Sequence, residues 1–360
     1  MVKKLLHVVG ARPNFMKAAP VLEACRARGF EQVLVHTGQH YDAKMSDIFF
    51  TQLGIPEADF NLDVGKGSHA QQTADVMVRF EKVVLQVKPD LVLVYGDVNS
   101  TLAAALVCAK LLIPVAHVEA GLRSFDKTMP EEVNRRVVDH MCDFLFTTCK
   151  DADDNLYKEG IAPDKVFFVG NVMIDTLMKL KSTAVESPIR EQLSLNVKGY
   201  ILATLHRPSN VDDPKRLRDL LVSLERIGEK VPVIFPLHPR TKAKIAASGH
   251  VYNDTALRFI DPLGYVDFIK LQMDAALVIT DSGGVQEETT ALGVPCLTLR
   301  PNTERPVTIT EGTNILVGED SLELERVVQL KLSQTNIQGR IPKLWDGHAA
   351  KRIADILETL

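Results

Sequence analysis

Short apolar runs recur along the whole chain, and longer segments with apolar residues at helical spacing separate them. Such runs, bounded by turn residues, predict buried strands, and their alternation with helices predicts parallel sheets covered on both faces. In the first half the predicted strands are 5–9, 32–36, 91–95, 114–118, 144–147 and 166–169. In the second half they are 200–204, 231–236, 257–260, 275–279, 295–299 and 314–317.

Six strands in each half predict an α/β protein of two Rossmann-like domains rather than one long sheet. We place the first domain at residues 1–172, joined by a C-terminal helix at about 345–360, and the second at 173–344. The polar stretch 179–196 fits a linker between them. Because ligands of parallel sheets bind beyond the carboxyl ends of the strands, we expect the two sheets to face each other across a cleft.

The composition of the chain limits the kinds of partner that it is expected to bind. The net charge of −4 gives no electrostatic basis for binding nucleic acid or an acidic membrane surface. The five cysteines are scattered and form no CxxC pair, which favours a reducing compartment and argues against a zinc ribbon. The first residues lead directly into a predicted strand and lack the apolar run of a signal peptide. No apolar stretch of the sequence is long enough to span a membrane. We therefore expect a cytoplasmic protein.

The most informative stretch is the strand 275–279 with the turn and helix that follow it. Ser282, Gly283 and Gly284 connect the strand to a helix that is predicted to end at Leu292, before Gly293. Unpaired N–H groups at the start of such a helix bind anions, and glycine lets a phosphate approach the backbone. Glu288, about one turn further on, is placed to accept ribose hydroxyls. An ordinary strand-to-helix turn with Asp281 or Ser282 as N-cap fits the local pattern equally well.

Acidic residues follow three successive elements of the first half. Asp97 follows strand 91–95, Glu119 follows strand 114–118, and Glu131 opens the next helix. Asp97 has an ordinary explanation as a cap or turn residue, and Glu131 as a first-turn residue that complements the helix dipole. Glu119 is different, because a Glu at the end of a buried strand is costly unless it is partnered or functional. Three carboxylates on successive loops of one cleft wall are the pattern of general acid–base catalysis. Arg12 and Lys17 place two cations near a helix start, where the dipole disfavours them unless an anion binds there.

In the second half, His206 and Arg207 end the strand 200–204 and suit a diphosphate. Phe268 is an aromatic residue that is able to stack on a base, although ordinary packing is the better explanation when the residue is taken alone. No pair of histidines has metal-ligand spacing, so we predict no metal site.

Taken together, these stretches resemble the non-hydrolysing UDP-N-acetylglucosamine 2-epimerases, which have the two-domain GT-B fold. The resemblance covers nearly the whole chain and rests on ordered motifs: Gly10-Ala-Arg-Pro13, Gly96-Asp97, His117-Val-Glu-Ala-Gly-Leu-Arg123, Pro130-Glu-Glu-Val-Asn-Arg135, Thr204-Leu-His-Arg207, Asp281-Ser-Gly-Gly-Val-Gln-Glu-Glu288 and Thr303-Glu-Arg-Pro306. It implies a UDP-sugar substrate, no cofactor and a homodimer.

The resemblance also implies roles for individual residues. Asp97, Glu119 and Glu131 would carry the acid–base work of an anti elimination of UDP and its re-addition to a glycal, without our assigning which is acid and which is base. Arg12, Lys17, His206 and Arg207 would hold or stabilise the diphosphate, and His206 thereby joins the catalytic set. Ser282, Gly283 and Gly284 would cradle the same group. Glu288 would bind the ribose, and Phe268 would lie near the uracil.

Some positions do not decide which sugar the UDP-linked substrate carries. Asn14 stands where the family usually has Glu, Pro208-Ser209 replaces Arg-Glu, and Val307 follows the TERP motif. Gly10-Ala-Arg-Pro-Asn14 and Gly121-Leu-Arg-Ser-Phe125 look closer to epimerases acting on UDP-2,3-diacetamido-glucuronic acid, whereas Thr303-Glu-Arg-Pro306 favours N-acetylglucosamine. A UDP-sugar-dependent GT-B glycosyltransferase and a silent nucleotide-sugar sensor remain more distant alternatives. The three carboxylates argue against both.

Overall fold

The computed structural model describes residues 2–39, 53–237, 239–248, 252–334 and 339–360. These residues form two compact units. The first comprises Met1–Thr176 together with Lys343–Leu360, and the second comprises Leu177–Pro342. No helix in the described part of the chain is long and apolar enough to cross a membrane.

The first unit is built on a parallel sheet of seven strands in the order β3-β2-β1-β4-β5-β6-β7. Its strands are β1 (Lys4–Val9), β2 (Glu31–His36), β3 (Phe60–Asn61), β4 (Leu91–Tyr95), β5 (Val115–Ala120), β6 (Phe144–Thr147) and β7 (Val166–Phe168). Every residue of β4 and β5 is buried, as expected for central strands covered on both faces.

Helices cover this sheet and close the unit. They are α1 (Arg12–Ala27), α2 (His69–Val87), α3 (Asn99–Leu111), α4 (Pro130–Met141), α5 (Lys150–Lys158) and the C-terminal α15 (Ala349–Glu358), with a short 3₁₀ turn at Pro163–Lys165. The division between the units falls inside α6 (Val172–Val185).

The second unit contains a parallel sheet of six strands in the order β10-β9-β8-β11-β12-β13. Its strands are β8 (Ile201–Thr204), β9 (Val233–Pro236), β10 (Leu257–Ile260), β11 (Leu277–Thr280), β12 (Cys296–Thr298) and β13 (Asn314–Leu316). Its helices are α7 (Ile189–Gln192), α8 (Pro208–Val211), α9 (Pro214–Gly228), α10 (Pro239–Ser248), α11 (Tyr265–Asp274), α12 (Gly283–Leu292), α13 (Val307–Thr310) and α14 (Ser321–Ser333).

The α/β class and both parallel sheets confirm the prediction, and every predicted strand is present with ends that differ by a few residues. One expectation was wrong. The first sheet has a seventh strand, Phe60–Asn61, which is too short to leave a periodic signal. Residues 179–185 of the predicted linker are the end of a regular helix.

Strand order determines which side chains meet at the carboxyl edge. In the first sheet β4 lies between β1 and β5, so the turns after these three strands are neighbours. In the second sheet β8 and β11 pair in parallel, with Thr204 opposite Thr280, which places the residues after these two strands side by side. Both locations are switch points of an open sheet, where such folds bind ligands.

Candidate active site

In the first unit, Asn14 fixes the turn between β1 and α1. Its Oδ1 accepts hydrogen bonds from the backbone N–H groups of Gly10 (3.2 Å) and Ala11 (3.1 Å), and its Nδ2 donates to the carbonyl of Tyr95 (2.8 Å). Asn14 therefore provides the N-terminal capping expected of the Glu that is usual here, and also ties the end of β1 to the end of β4. A side chain on Gly10 would overlap the hydroxyls of Ser100 and Thr37.

Glu119 lies in a bulge near the end of β5. The pairing with β6 shifts register between Val118 and Ala120, and Glu119 has a φ of 75°, a conformation rare for a residue with a side chain. Its Oε1 accepts a hydrogen bond from Lys17 Nζ at 2.8 Å, and both side chains are buried. Lys17 lies close beneath Gly96, because a Cβ built there would be 2.7 Å from its Nζ.

Asp97 is held by the helix that carries Glu131. Its Oδ2 accepts from Arg135 Nη1 at 2.6 Å, and its carbonyl accepts from Asn134 Nδ2 at 2.8 Å. Arg135 also donates to the buried Glu132. Burial raises the pKa of Glu132, but the hydrogen bonds from Ser124 and Arg135 outweigh burial and lower it. Arg135 and Asn134 therefore act as supports for Asp97.

A cavity of about 390 Å³ opens beside these residues within the first unit. Among the residues that line it are Asp97, Glu131, Asn134, Asn99, His69 and Gln39. The structure thus brings Asp97 and Glu131 to one cavity and joins Glu119 to Lys17. Arg12 begins α1, and its side chain lies outside the described part of the chain.

In the second unit, Asp281 organises the turn after β8. Its carboxylate accepts from the backbone N–H groups of His206 (3.1 Å) and Arg207 (3.0 Å) and from Asn210 Nδ2 (3.1 Å), and it lies 3.0 Å from His206 Nδ1. Burial raises the pKa of Asp281, but these bonds, above all those from His206, bring it below its ordinary value. The His206 side chain is half exposed, so it is accessible to a ligand.

The N-terminus of α12 has the features of an anion site. Ser282 is its N-cap, and the Ser282 side chain makes no capping hydrogen bond. A Cβ on Gly283 would lie 2.5 Å from Arg305 Nη1 and 2.9 Å from Glu304 Oε1, so a guanidinium and a carboxylate lie directly over this turn. The backbone N–H groups of a helix N-terminus and the helix dipole both favour a phosphate here.

Glu304 is surrounded by arginines. Its carboxylate accepts from Arg300 Nη2 at 2.7 Å and from Arg305 Nη1, and Arg207 Nη2 lies 3.6 Å away. Burial alone would raise the pKa of Glu304, but the neighbouring Arg305 and Arg300 lower it far below its ordinary value. Burial, together with Arg300, lowers the pKa of Arg207. Arg305 also pairs with Glu287 at 2.8 Å, so the arginines of this cluster have more than one carboxylate as partner.

Glu288 is fully enclosed one turn into α12. It accepts from Tyr265 OH (2.8 Å) and Gln272 Nε2 (2.7 Å). Burial raises its pKa to about 7, although both hydrogen bonds lower it. Phe268 is half-buried and packs against the apolar cluster of the second sheet.

Five supporting residues were not identified as functional candidates from the sequence: Asn14, Arg135, Asp281, Glu304 and Arg305. All but Asn14 lie inside motifs that point to function, yet only the structure shows what each side chain touches. Among the described residues, no group of three or more His, Cys, Asp or Glu could hold a metal ion.

Comparison with known proteins agrees with this geometry. The family model for UDP-N-acetylglucosamine 2-epimerase matches residues 23–358. The UDP-N-acetylglucosamine 2-epimerase of Methanocaldococcus jannaschii is 43% identical over 92% of this chain and 93% of its own length. The UDP-2,3-diacetamido-2,3-dideoxy-D-glucuronate 2-epimerase of Pseudomonas aeruginosa is 44% identical over 99% of this chain and 100% of its own.

A solved structure extends the agreement to three dimensions. The crystal structure of the M. jannaschii UDP-GlcNAc 2-epimerase in complex with UDP-GlcNAc and UDP matches with a TM-score of 0.91 at 41% identity, over 99% of this chain and 100% of that one. The chain described here belongs to the UDP-N-acetylglucosamine 2-epimerase family.

Proposed function

We propose that this chain is a non-hydrolysing epimerase that interconverts UDP-N-acetylglucosamine and UDP-N-acetylmannosamine. The observation that carries the proposal is the placement of Asp97 and Glu119 at the ends of the adjacent strands β4 and β5, with Glu131 lining the same cavity as Asp97. Carboxylates gathered at one sheet edge suit the removal and return of a proton.

The reaction proceeds by elimination and re-addition. A base takes the proton from C2 of the sugar while the C1–O bond to the diphosphate breaks, giving a 2-acetamido glycal and UDP. UDP then adds back to C1, and a proton is delivered to the opposite face of C2, so that atoms and charges balance overall. Asp97, Glu119 and Glu131 share the proton transfers in this proposal.

Departure of UDP requires stabilisation of its growing negative charge. We assign this to His206 and Arg207, to the backbone of Ser282, Gly283 and Gly284, and to Arg12 and Lys17. Cations and N–H groups aimed at a leaving diphosphate lower the barrier because its charge is greatest after the bond breaks. Glu288 binds the ribose, and Phe268 lies near the uracil.

The role of Lys17 includes a second task. Because its ammonium lies 2.8 Å from the Glu119 carboxylate, it also donates a charge-assisted hydrogen bond to that buried side chain. A lysine that contacts both Glu119 and the substrate would couple the charge of the diphosphate to the charge of the base.

A second sugar has specific support. The P. aeruginosa relative, named for UDP-2,3-diacetamido-2,3-dideoxy-D-glucuronate, matches over the full chain at an identity close to that of the M. jannaschii relative. Overall identity therefore does not separate the two substrates. We keep N-acetylglucosamine as first choice because Thr303-Glu-Arg-Pro306 is intact.

The test is an incubation of the purified protein with each UDP-sugar separately, followed by chromatographic separation of the 2-epimers. We expect UDP-N-acetylglucosamine to reach an equilibrium mixture with its manno epimer, without added cofactor. Conversion of the diacetamido-uronate alone would reassign the sugar. Conversion of neither, with sugar transfer to an acceptor, would replace the epimerase with a glycosyltransferase.

We further infer from the resemblance that the enzyme works as a homodimer in the cytoplasm, where UDP-sugars are made and used. Exposed apolar side chains on the first unit, Val78 and Leu85 of α2 and the nearby Leu112, are candidates for a subunit contact. Sedimentation velocity of the purified protein measures the mass directly, and a single species at the mass of one chain would contradict the dimer.

A further inference from the structure

A buried histidine lies between the two strand ends that carry Asp97 and Glu119. His117 is in β5, two residues before Glu119, and its side chain is completely enclosed. Its Nδ1 lies 2.7 Å from Asp139 Oδ1, and its Nε2 lies 2.8 Å from the carbonyl oxygen of Gly96. Neither of its contacts is with a group assigned above to the substrate.

Both contacts of the ring are with oxygen atoms. A backbone carbonyl oxygen only accepts hydrogen bonds, so Nε2 carries hydrogen and donates to Gly96. On the other side of the ring, Nδ1 faces the Asp139 carboxylate. Burial would raise the pKa of Asp139, but its bonds to His117 and Arg123 bring it below its ordinary value. An imidazolium satisfies both acceptors, with one hydrogen on each ring nitrogen.

Asp139 also contacts the backbone on the C-terminal side of Glu119, at Gly121. Its Oδ2 accepts from the backbone N–H of Gly121 at 3.1 Å and lies 2.7 Å from Arg123 Nη1. Arg123 in turn forms two hydrogen bonds with Glu159, of 3.0 Å and 2.7 Å. Basic and acidic side chains therefore alternate through these four residues, and Arg123 lies between two carboxylates.

The pair thus touches the backbone next to both proposed acid–base residues. Gly96 immediately precedes Asp97, and Gly121 follows the bulge at Glu119, whose φ of 75° needs support from its surroundings. Arg135 orients the Asp97 side chain from one direction, while His117 fixes the backbone that carries it from another.

We propose that His117, as an imidazolium paired with Asp139, is a positioning residue that holds Asp97 and Glu119 in register for the proton transfers. The inference rests on the acid–base roles given to those two carboxylates in the proposed function. Loss of the pair would let the Gly96 carbonyl and the Gly121 N–H move independently, which misplaces the carboxylates without removing either.

The first measurement uses the intact protein. Nitrogen-15 spectra of histidine-labelled enzyme at neutral pH report which ring nitrogens carry hydrogen, and the signals of His117 are assigned by their absence in His117→Gln. We expect both His117 nitrogens to be protonated. A nitrogen without hydrogen would overturn the proposed imidazolium. If His117→Gln does not fold, the signals that shift in Asp139→Asn serve for assignment.

The second measurement separates positioning from binding. In His117→Gln we expect kcat to fall about 100-fold, the size typical of a small misplacement of reacting groups, with little change in KM or in UDP affinity. His7→Gln is the matched control, because His7 is equally buried in β1 of the same sheet but contacts Tyr95 OH instead of a catalytic loop. We expect it to keep nearly full turnover.

Equal turnover in His117→Gln and the wild type would overturn the positioning role, and so would equal losses in both histidine variants. An inactive wild-type enzyme is a separate result: it rejects the proposed function, whereas the nitrogen spectra still decide the charge of His117.

Discussion

At the scale of single residues, Glu119 combines an unusual backbone conformation with a buried ion pair. It lies in a bulge with a positive φ, is buried, and is paired with Lys17. A group held in this way is fixed in position and has a cationic partner. These are the properties that a base acting on a weakly acidic C–H requires.

We predict that Glu119→Gln lowers turnover by about 10²–10⁴-fold, because the amide cannot accept the proton, while UDP affinity changes little. Steady-state kinetics and calorimetric titration with UDP measure the two quantities. Glu57→Gln, at an exposed position of the same unit, is the control and should behave as the wild type. Much weaker UDP binding with only a modest loss of turnover would show that Glu119 binds substrate instead.

Glu288 gives a residue-scale prediction about pH. Burial raises its pKa from 4.5 to about 7, so between these values the folded protein keeps a proton that the unfolded chain has lost. The free energy of unfolding therefore falls as pH rises through this window. We predict that Glu288→Gln lacks this pH-dependent fall in the free energy of unfolding, which is on the order of 3 kcal/mol across the window. The variant should therefore be more stable than the wild type above pH 7.

Urea denaturation of both proteins between pH 5 and pH 8 provides the measurement. The difference between them is the relevant quantity, since Asp175, whose pKa burial raises to about 6, contributes to both proteins in the same direction. A difference that does not vary with pH would mean that Glu288 has no raised pKa in the folded protein.

At the scale of elements, the first turn of α12 links backbone geometry to anion binding. Gly283 leaves room for the Arg305 guanidinium and the Glu304 carboxylate above the helix N-terminus. Both side chains also contact neighbours, Arg305 with Glu287 and Glu304 with Arg300, so a methyl group at position 283 must disturb these contacts to fit.

Gly283→Ala should therefore weaken UDP binding about tenfold, the equivalent of one lost charge-assisted hydrogen bond, because the new methyl group displaces Arg305 from the phosphate site. Titration calorimetry with UDP gives the affinity. Uridine is the control ligand, since it lacks the diphosphate and should bind both proteins alike. An equal loss for uridine, or no loss for UDP, would contradict this account of the turn.

The elements also show what the sequence could predict. Strand β11, the glycine turn and helix α12 ending at Leu292 follow from an apolar run, paired glycines and Gly293, whose φ is 69°. The bulge at Glu119 depends on how β5 pairs with β6, which a local pattern does not contain. The pairing of Lys17 with Glu119 joins residues far apart in the chain, so it could be identified only once the fold was known.

At the scale of the whole molecule, the sequence predicted two parallel α/β sheets, and each is present. The C-terminal segment is part of the first unit through specific contacts: Trp345 Nε1 donates to the Thr148 carbonyl, and Asp175 accepts from the N–H groups of Ala349 and Ala350 at the start of α15. Amphipathic spacing predicted the helix but not these partners. Thr303-Glu-Arg-Pro306 favours N-acetylglucosamine and other motifs favour the diacetamido-uronate, so the sequence did not decide between the two sugars.

The central claim is that a proton leaves C2 of a UDP-sugar and returns to either face. Proton NMR of the purified protein with UDP-N-acetylglucosamine in deuterated water measures this directly. We predict that the manno epimer appears and that both sugars carry deuterium at C2. The claim would be contradicted if a folded protein that binds UDP introduced no deuterium at C2 of this sugar or of the diacetamido-uronate.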